Sequence, residues 1–234
     1  MNRILLIDTA TDTCSAAIGE GNSIIALRES ADDRSHAVKL AAFIDELFKE
    51  ASIEPGQLSA VAISMGPGSY TGLRIGVSMA KGLCYGAGVP LIAVPTLQAM
   101  CYGVPKSFLD ENNLNDFYYC PMLDARRMEV YTAIYNQLFF ECKETSAEII
   151  GLNSFSHFLQ EKPVIFFGTG AEKTQEIISA PNAYFFNNFK HSSKNMLSIA
   201  NLLYSHSSFQ NVAYFEPFYL KDFIATVPKN KILS

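Results

Sequence analysis

The run Gly66-Pro67-Gly68-Ser69-Tyr70-Thr71-Gly72 follows four apolar residues, Ala60-Val61-Ala62-Ile63, and leads into a helical pattern from Gly72 to Tyr85. Strand, glycine-rich turn and helix start together form a device suited to anions. Glycines reach backbone angles that other residues avoid, and the first helical N–H groups point into the turn without partners. Such a turn often holds phosphate. The strongest catalytic-looking group is Asp8, at the end of the apolar run Ile4-Leu5-Leu6-Ile7 and followed by Thr9 and Thr11. Its bland role is to cap a turn through its side chain.

Other reactive arrangements are missing from the sequence. A helical metal pair needs two imidazoles on one face, four residues apart. His36 is followed at that spacing by Leu40, and His157, His191 and His206 have no useful spacing. No metal site is expected. Ser69 sits in a tight turn, but Gly68-Ser69-Tyr70-Thr71-Gly72 does not place serine at the centre of Gly-x-Ser-x-Gly. No catalytic residue is expected either.

The helix after the turn raises a separate question. Gly72, Gly76 and Gly82 each cost on the order of 1 kcal/mol relative to alanine in a helix interior. Gly72, Gly76 and Ala80 recur every four residues and form a smooth stripe where another backbone can come close. That neighbour is either another part of the same domain or a helix of another subunit, and spacing leaves both open.

The elements that must position these groups follow from pattern. Ile4–Ile7 reads as a central strand buried on both faces, Cys14–Ile18 and Ser23–Arg28 as two further strands, and Gly19–Asn22 as their hairpin turn. Ser35–Ala51 is the first clear helix, with Leu40, Ile44 and Leu47 in its core stripe and Phe43 beside it on the side of His36. Leu91–Val94 is a strand, and Thr96 begins a short helix to Tyr102. Gly103–Asp116 is polar and turn-rich, so residues 1–102 and 103–234 are expected as two lobes. In the second, Phe117–Leu123, Glu129–Tyr135, Phe139–Cys142, Pro163–Phe167 and Ala183–Phe186 read as strands. Asn153–Gln160 and the segment from Ala171 to Ser179 read as helices. A last helix, within 193–206, is a candidate to return to the first lobe. No internal repeat is visible.

At 234 residues the chain can bury a substantial core, and 49% of it is apolar without any uninterrupted run long enough to cross a membrane. The start is too short for a secretory signal. Five cysteines without paired spacing suit a reducing cytoplasm. The net charge of −5, with Arg126-Arg127 the lone adjacent basic pair, argues against gripping RNA unaided.

Gly66-Pro67-Gly68-Ser69-Tyr70-Thr71-Gly72-Leu73-Arg74-Ile75-Gly76 resembles the signature of the bacterial TsaB (YeaZ) family, whose members serve in making threonylcarbamoyladenosine in tRNA. Ile7-Asp8-Thr9-Ala10, His36, Asp124-Ala125-Arg126, Glu129-Val130-Tyr131 and Glu216-Pro217-Phe218-Tyr219-Leu220 resemble it in the expected order; Tyr70, where Phe is more usual, departs from it. The resemblance implies an α/β chain of the actin-like or Hsp70-like ATPase (ribonuclease H-like) fold, two lobes of mixed sheets flanked by helices. It also implies a non-catalytic subunit that binds and activates the transferase subunit TsaD, joins the P-loop ATPase TsaE, meets tRNA only through that complex, and forms a homodimer when alone. Docking would use the helices Ser35–Ala51 and Gly72–Tyr85, through His36, Phe43, Gly72, Leu73, Gly76, Val77 and Ala80. In this fold Asp8 and Thr9, with the turn at Gly168 and Gly170, would mark a vestigial nucleotide pocket. The hairpin Asp124-Ala125-Arg126 lacks the glycine of an active phosphate loop, so no cofactor is expected. The rival readings are a nucleotide-binding ATPase or kinase of the same fold and a metallopeptidase.

Overall fold

The computed structural model describes residues 1–30 and 36–221. Strands β1 (Arg3–Asp8), β2 (Cys14–Glu20) and β3 (Ser23–Ser30) form an antiparallel meander. β4 (Ala60–Gly66) and β5 (Leu91–Pro95) then add in parallel on the far side of β1, giving the order β3-β2-β1-β4-β5. Both faces of β1 are covered. Leu5 and Ile7 pack under the helices α1 (His36–Ala51) and α2 (Tyr70–Ala87). Ile4 and Leu6 pack against the opposite layer. A strand covered twice needs a continuous apolar run, which is why Ile4–Ile7 is legible.

The second sheet holds β6 (Tyr118–Asp124), β7 (Glu129–Asn136), β8 (Glu141–Ile149), β9 (Val164–Phe167) and β10 (Ala183–Phe186). Its order is β10-β9-β6-β7-β8, with β6 antiparallel to β7 and parallel to β9. Read from the other edge, this is the topology of the first sheet over again. Two such sheets flanked by helices make the actin-like, ribonuclease H-like α/β fold. The repeat lies in connectivity and not in residue identity, so the sequence hides it.

Between the sheets runs α3 (Thr96–Cys101), which gives Ala99 to the first core and Leu97, Met100 and Cys101 to the second. The closing helix α6 (Leu197–Ser205) lies against the first sheet, where Leu197, Ile199 and Ala200 join Ile4, Leu6 and Ile92.

Three elements differ from the sequence pattern. The polar stretch 103–116 contains a helix, α4 (Lys106–Glu111), opened by Pro105 and anchored by Phe108 and Leu109 on the second core. The strand expected at Phe139–Cys142 instead runs Glu141–Ile149 as a charged edge strand, which lacks an apolar run to announce it. After Gly170 there is one 3₁₀ turn, Glu172–Thr174, in place of a helix to Ser179. The Thr174 hydroxyl donates to the Ala171 carbonyl and draws the chain into the tighter turn. The helix α5 is likewise short, Ser156–Glu161.

Among the described residues no helix is long and apolar enough to cross a membrane, and no three of His, Cys, Asp and Glu gather as metal ligands would.

Candidate functional site

The organising turn is bolted to the loop after β1. Ser69 caps α2 by accepting the Gly72 N–H at 3.3 Å, while its own N–H donates to the Ala10 carbonyl at 2.7 Å. The Thr9 hydroxyl donates to the Gly72 carbonyl at 2.7 Å. A β-carbon on residue 72 would run into the Thr9 carbonyl oxygen, and one on residue 76 into the Thr9 hydroxyl and, at 2.9 Å, Ile63. These glycines therefore admit the chain's own backbone, and carbonyl oxygens fill much of the space the turn offers an anion.

Most of the expected docking residues are covered within the chain. Gly72, Leu73, Gly76, Val77 and Ala80 are all buried on the inner face of α2. Phe43 is half-buried and packs on the first core. The side chain of His36 lies outside the described residues, as does residue 35, where that helix is expected to begin.

Asp8 and Thr9 are also fully buried, so neither side chain faces open space as a nucleotide ligand must. Asp8 lies against His191, Nε2 to Oδ2 2.9 Å, and its other oxygen accepts the Ala10 N–H at 3.2 Å. Burial pushes the Asp8 carboxyl up. The neighbouring His191 and Ser64, with the Ala10 N–H, outweigh that and hold it below its ordinary value. His191 has no sequence signal as a partner, because the contact joins opposite ends of the chain. Gly168 has φ +102° and lines a small cavity of about 180 Å³. Gly170 is buried beside Val130 and Leu123.

Two concavities remain open. The first is an apolar groove of about 700 Å³ on the outer face of α2, lined by Tyr70, Arg74, Ile75, Met79, Gly82 and Leu83 with Ala37 of α1. Val38 and Tyr85, 75% and 88% exposed, lie on the same two helices. A β-carbon on Gly82 would meet nothing within 4 Å. The second is a polar cleft of about 620 Å³ between the lobes, lined by Thr11, Asp12, Arg126, Tyr131, Thr169 and Tyr219 among others. Its hairpin turn puts Arg126 and Arg127 at φ +72° and +49°, with the Arg126 N–H donating to Asp124 at 2.9 Å. Lys173 pairs with Asp124 and Lys221 with Glu129.

The family model described as "TsaD: tRNA N6-adenosine threonylcarbamoyltransferase" matches residues 28–229. The tRNA threonylcarbamoyladenosine biosynthesis protein TsaB of Haemophilus influenzae is 29% identical, over 94% of this chain and 93% of its own. The protein of the same name from Bacillus subtilis is 31% identical, over 75% of this chain and 74% of its own. Among solved structures, YeaZ from Pseudomonas aeruginosa superposes with a TM-score of 0.77 at 22% identity, covering 94% of this chain and all of that one, which bears on the fold.

Proposed function

The chain belongs to the TsaB (YeaZ) family, and from that premise we propose that it takes part in threonylcarbamoyladenosine biosynthesis as a non-catalytic subunit. Its partner is a TsaD-like transferase subunit, held on the outer face of α1 and α2. The observation that carries this reading is the division of labour between the two faces of α2. The inner face is filled by Thr9 and Ile63 of the same chain; the outer face presents an apolar groove with an uncompensated glycine. A helix that accepts the Gly82 penalty of about 1 kcal/mol without an internal contact is consistent with one supplied from outside. A docked partner needs to bury about 1,200–2,000 Å² in total to be stable, and the groove with the flanking Val38 and Tyr85 offers a centre for such a contact.

Activation would follow from binding one state of the partner better than others. Recruitment of a TsaE-like ATPase, and contact with tRNA through the assembly alone, belong to the same reading. The acidic balance of the chain supports the latter. Homodimers through the same groove would form when the partner is absent. An ATPase or kinase reading is less well supported, because Asp8 and Thr9 are occupied within the chain.

The test is co-purification with a TsaD-family subunit. Ser78→Glu and Gly82→Glu, both exposed in the groove, should abolish it and leave the monomer folded. In cells the same variants should lower modified adenosine in tRNA, measured by mass spectrometry. Undiminished co-purification of both variants would refute the docking face, and turnover of ATP by the chain alone would refute the non-catalytic assignment.

A further inference from the structure

After α6 the chain does not simply end on the surface. The Gln210 N–H donates to the Leu91 carbonyl at 2.8 Å, capping the open edge of β5. Lys81 of α2 donates to the carbonyls of Ala213 and Phe215, at 3.2 and 3.1 Å. The Phe218 N–H donates to Met65 at 2.7 Å, and residue 66 is glycine where a β-carbon would come within 2.5 Å of the Phe218 carbonyl oxygen. Up to Phe218, then, every one of these hydrogen bonds is to the first lobe. Beyond it the chain crosses over. Tyr219 lies against Tyr70, ring centroids 4.9 Å apart, and Lys221 pairs with Glu129 of β7 in the second lobe. Phe218 to Lys221 form one side of the polar cleft.

This strap is strong at one end and weak at the other. Its first-lobe end is held by a row of backbone hydrogen bonds. Among the described residues its second-lobe end is held by one ion pair, whose side chains are 44% and 21% exposed, the kind of pair that solvent and salt weaken. At the back of the cleft the lobes are joined differently. Phe139 stacks on Tyr102, centroids 3.9 Å apart, and its carbonyl accepts from Gln98 at 3.1 Å. A packed contact on one side and a breakable one on the other are the parts of a hinge and a latch.

We propose that residues 219–221 are a latch over the inter-lobe cleft, closed by Lys221–Glu129, and that a partner seated in the α1–α2 groove releases it through Tyr70. Tyr70 lines both the groove and the cleft, and Tyr219 rests on it. Arg74, in the groove, lies 5.6 Å over the Tyr70 ring, so an incoming surface meets Tyr70 and its supporting cation together. Opening widens the cleft in front of the Arg126 hairpin and Thr169, which line its far side. The release step rests on the docking reading above; the latch itself does not.

The test uses the full chain with spin labels on Cys142, the exposed cysteine among four buried ones, and on Lys49→Cys in the first lobe. Pulsed dipolar spectroscopy should give one narrow distance in the otherwise native chain and in Lys221→Arg. Lys221→Met and Glu129→Gln should each broaden it and lengthen it, with at least fivefold faster amide exchange at 124–127 and unchanged exchange in β1 and β4. The same narrow distance and the same exchange in both variants would overturn the latch. A TsaD-family subunit is then added to the Lys221-intact chain. Co-elution with the long distance supports release through Tyr70, and co-elution with the narrow distance overturns it. Failure to co-elute overturns the docking reading and the release that depends on it, and leaves the latch to stand on the variants.

Discussion

His191 Nε2 lies 2.9 Å from the Asp8 carboxylate, and both side chains are 1% exposed. The contact ties the segment between β10 and α6 to the end of the central strand. Removing one partner of such a pair leaves a buried charge unmatched, which costs about 3–5 kcal/mol. His191→Ala should therefore lose roughly that much in urea unfolding. The double variant Asp8→Asn/His191→Ala should lose less than the sum of the single losses, since no buried carboxylate is then stranded. Additive losses would mean that the two groups do not act as a pair.

The pH dependence of the same group has a definite sign. Burial raises the Asp8 carboxyl, but His191, Ser64 and the Ala10 N–H pull it below its ordinary 3.8. A carboxyl depressed in the folded state contributes stability that is complete above its unfolded value and is lost as pH falls toward the folded one. Denaturant melts of the native chain should weaken below about pH 4 more steeply than those of Asp8→Asn. Parallel curves would show that Asp8 has no part in acid sensitivity.

Two glycines of α2 should respond to alanine in opposite directions. At residue 76 the new methyl meets the Thr9 hydroxyl and Ile63, and overpacking of this kind costs about 1–3 kcal/mol. At residue 82 it meets nothing within 4 Å, so the gain in helix propensity, up to about 1 kcal/mol, should appear in the melting temperature of the isolated chain. If the groove closes on a partner helix, Gly82→Ala should weaken that complex even as it stabilises the monomer. Equal effects at the two positions would contradict the assignment of inner and outer faces.

The cysteines sort by burial. Burial pushes Cys14 up to about 11, with the Asp8 charge adding to it, and raises Cys84 to about 11 and Cys120 to about 12; Cys101 is raised well above its ordinary value. Cys142 is exposed. Since the thiolate is the reactive form, native-state alkylation at pH 8 followed by peptide mass spectrometry should mark Cys142 and spare the other four. Early labelling of any buried thiol would show that its lobe opens readily.

What was legible in the sequence were the elements that carry a strong local pattern. Ile4–Ile7 and Val164–Phe167 are continuous apolar runs because both faces of their strands are covered. The Gly72/Gly76/Ala80 stripe announced a close neighbour, yet spacing names no partner, and the neighbour is Thr9 of the same chain. The face that remains free is marked by Arg74, Ser78 and Gly82, which read as ordinary helix residues until the inner face is known. The pairing of Asp8 with His191 and of Glu129 with Lys221 depends on how distant segments meet. No local window contains that information.

The hinge side of the molecule offers a last expectation. Phe139 sits at the tip of the β7–β8 hairpin with φ +64°, and its ring lies between Tyr102, at 3.9 Å, and Tyr119, at 5.5 Å. A left-handed backbone at a bulky residue is strained by about 1–3 kcal/mol and persists where surrounding packing over-determines it. Here that packing is the aromatic stack between the two lobes. Phe139→Ala removes the stack and keeps the strain, so it should cost about 2–3 kcal/mol. Phe139→Gly removes both and should be no worse than alanine, although glycine is normally the more destabilising of the two. Urea unfolding of the two variants decides the matter: glycine clearly below alanine would mean that the left-handed backbone at residue 139 stores no strain.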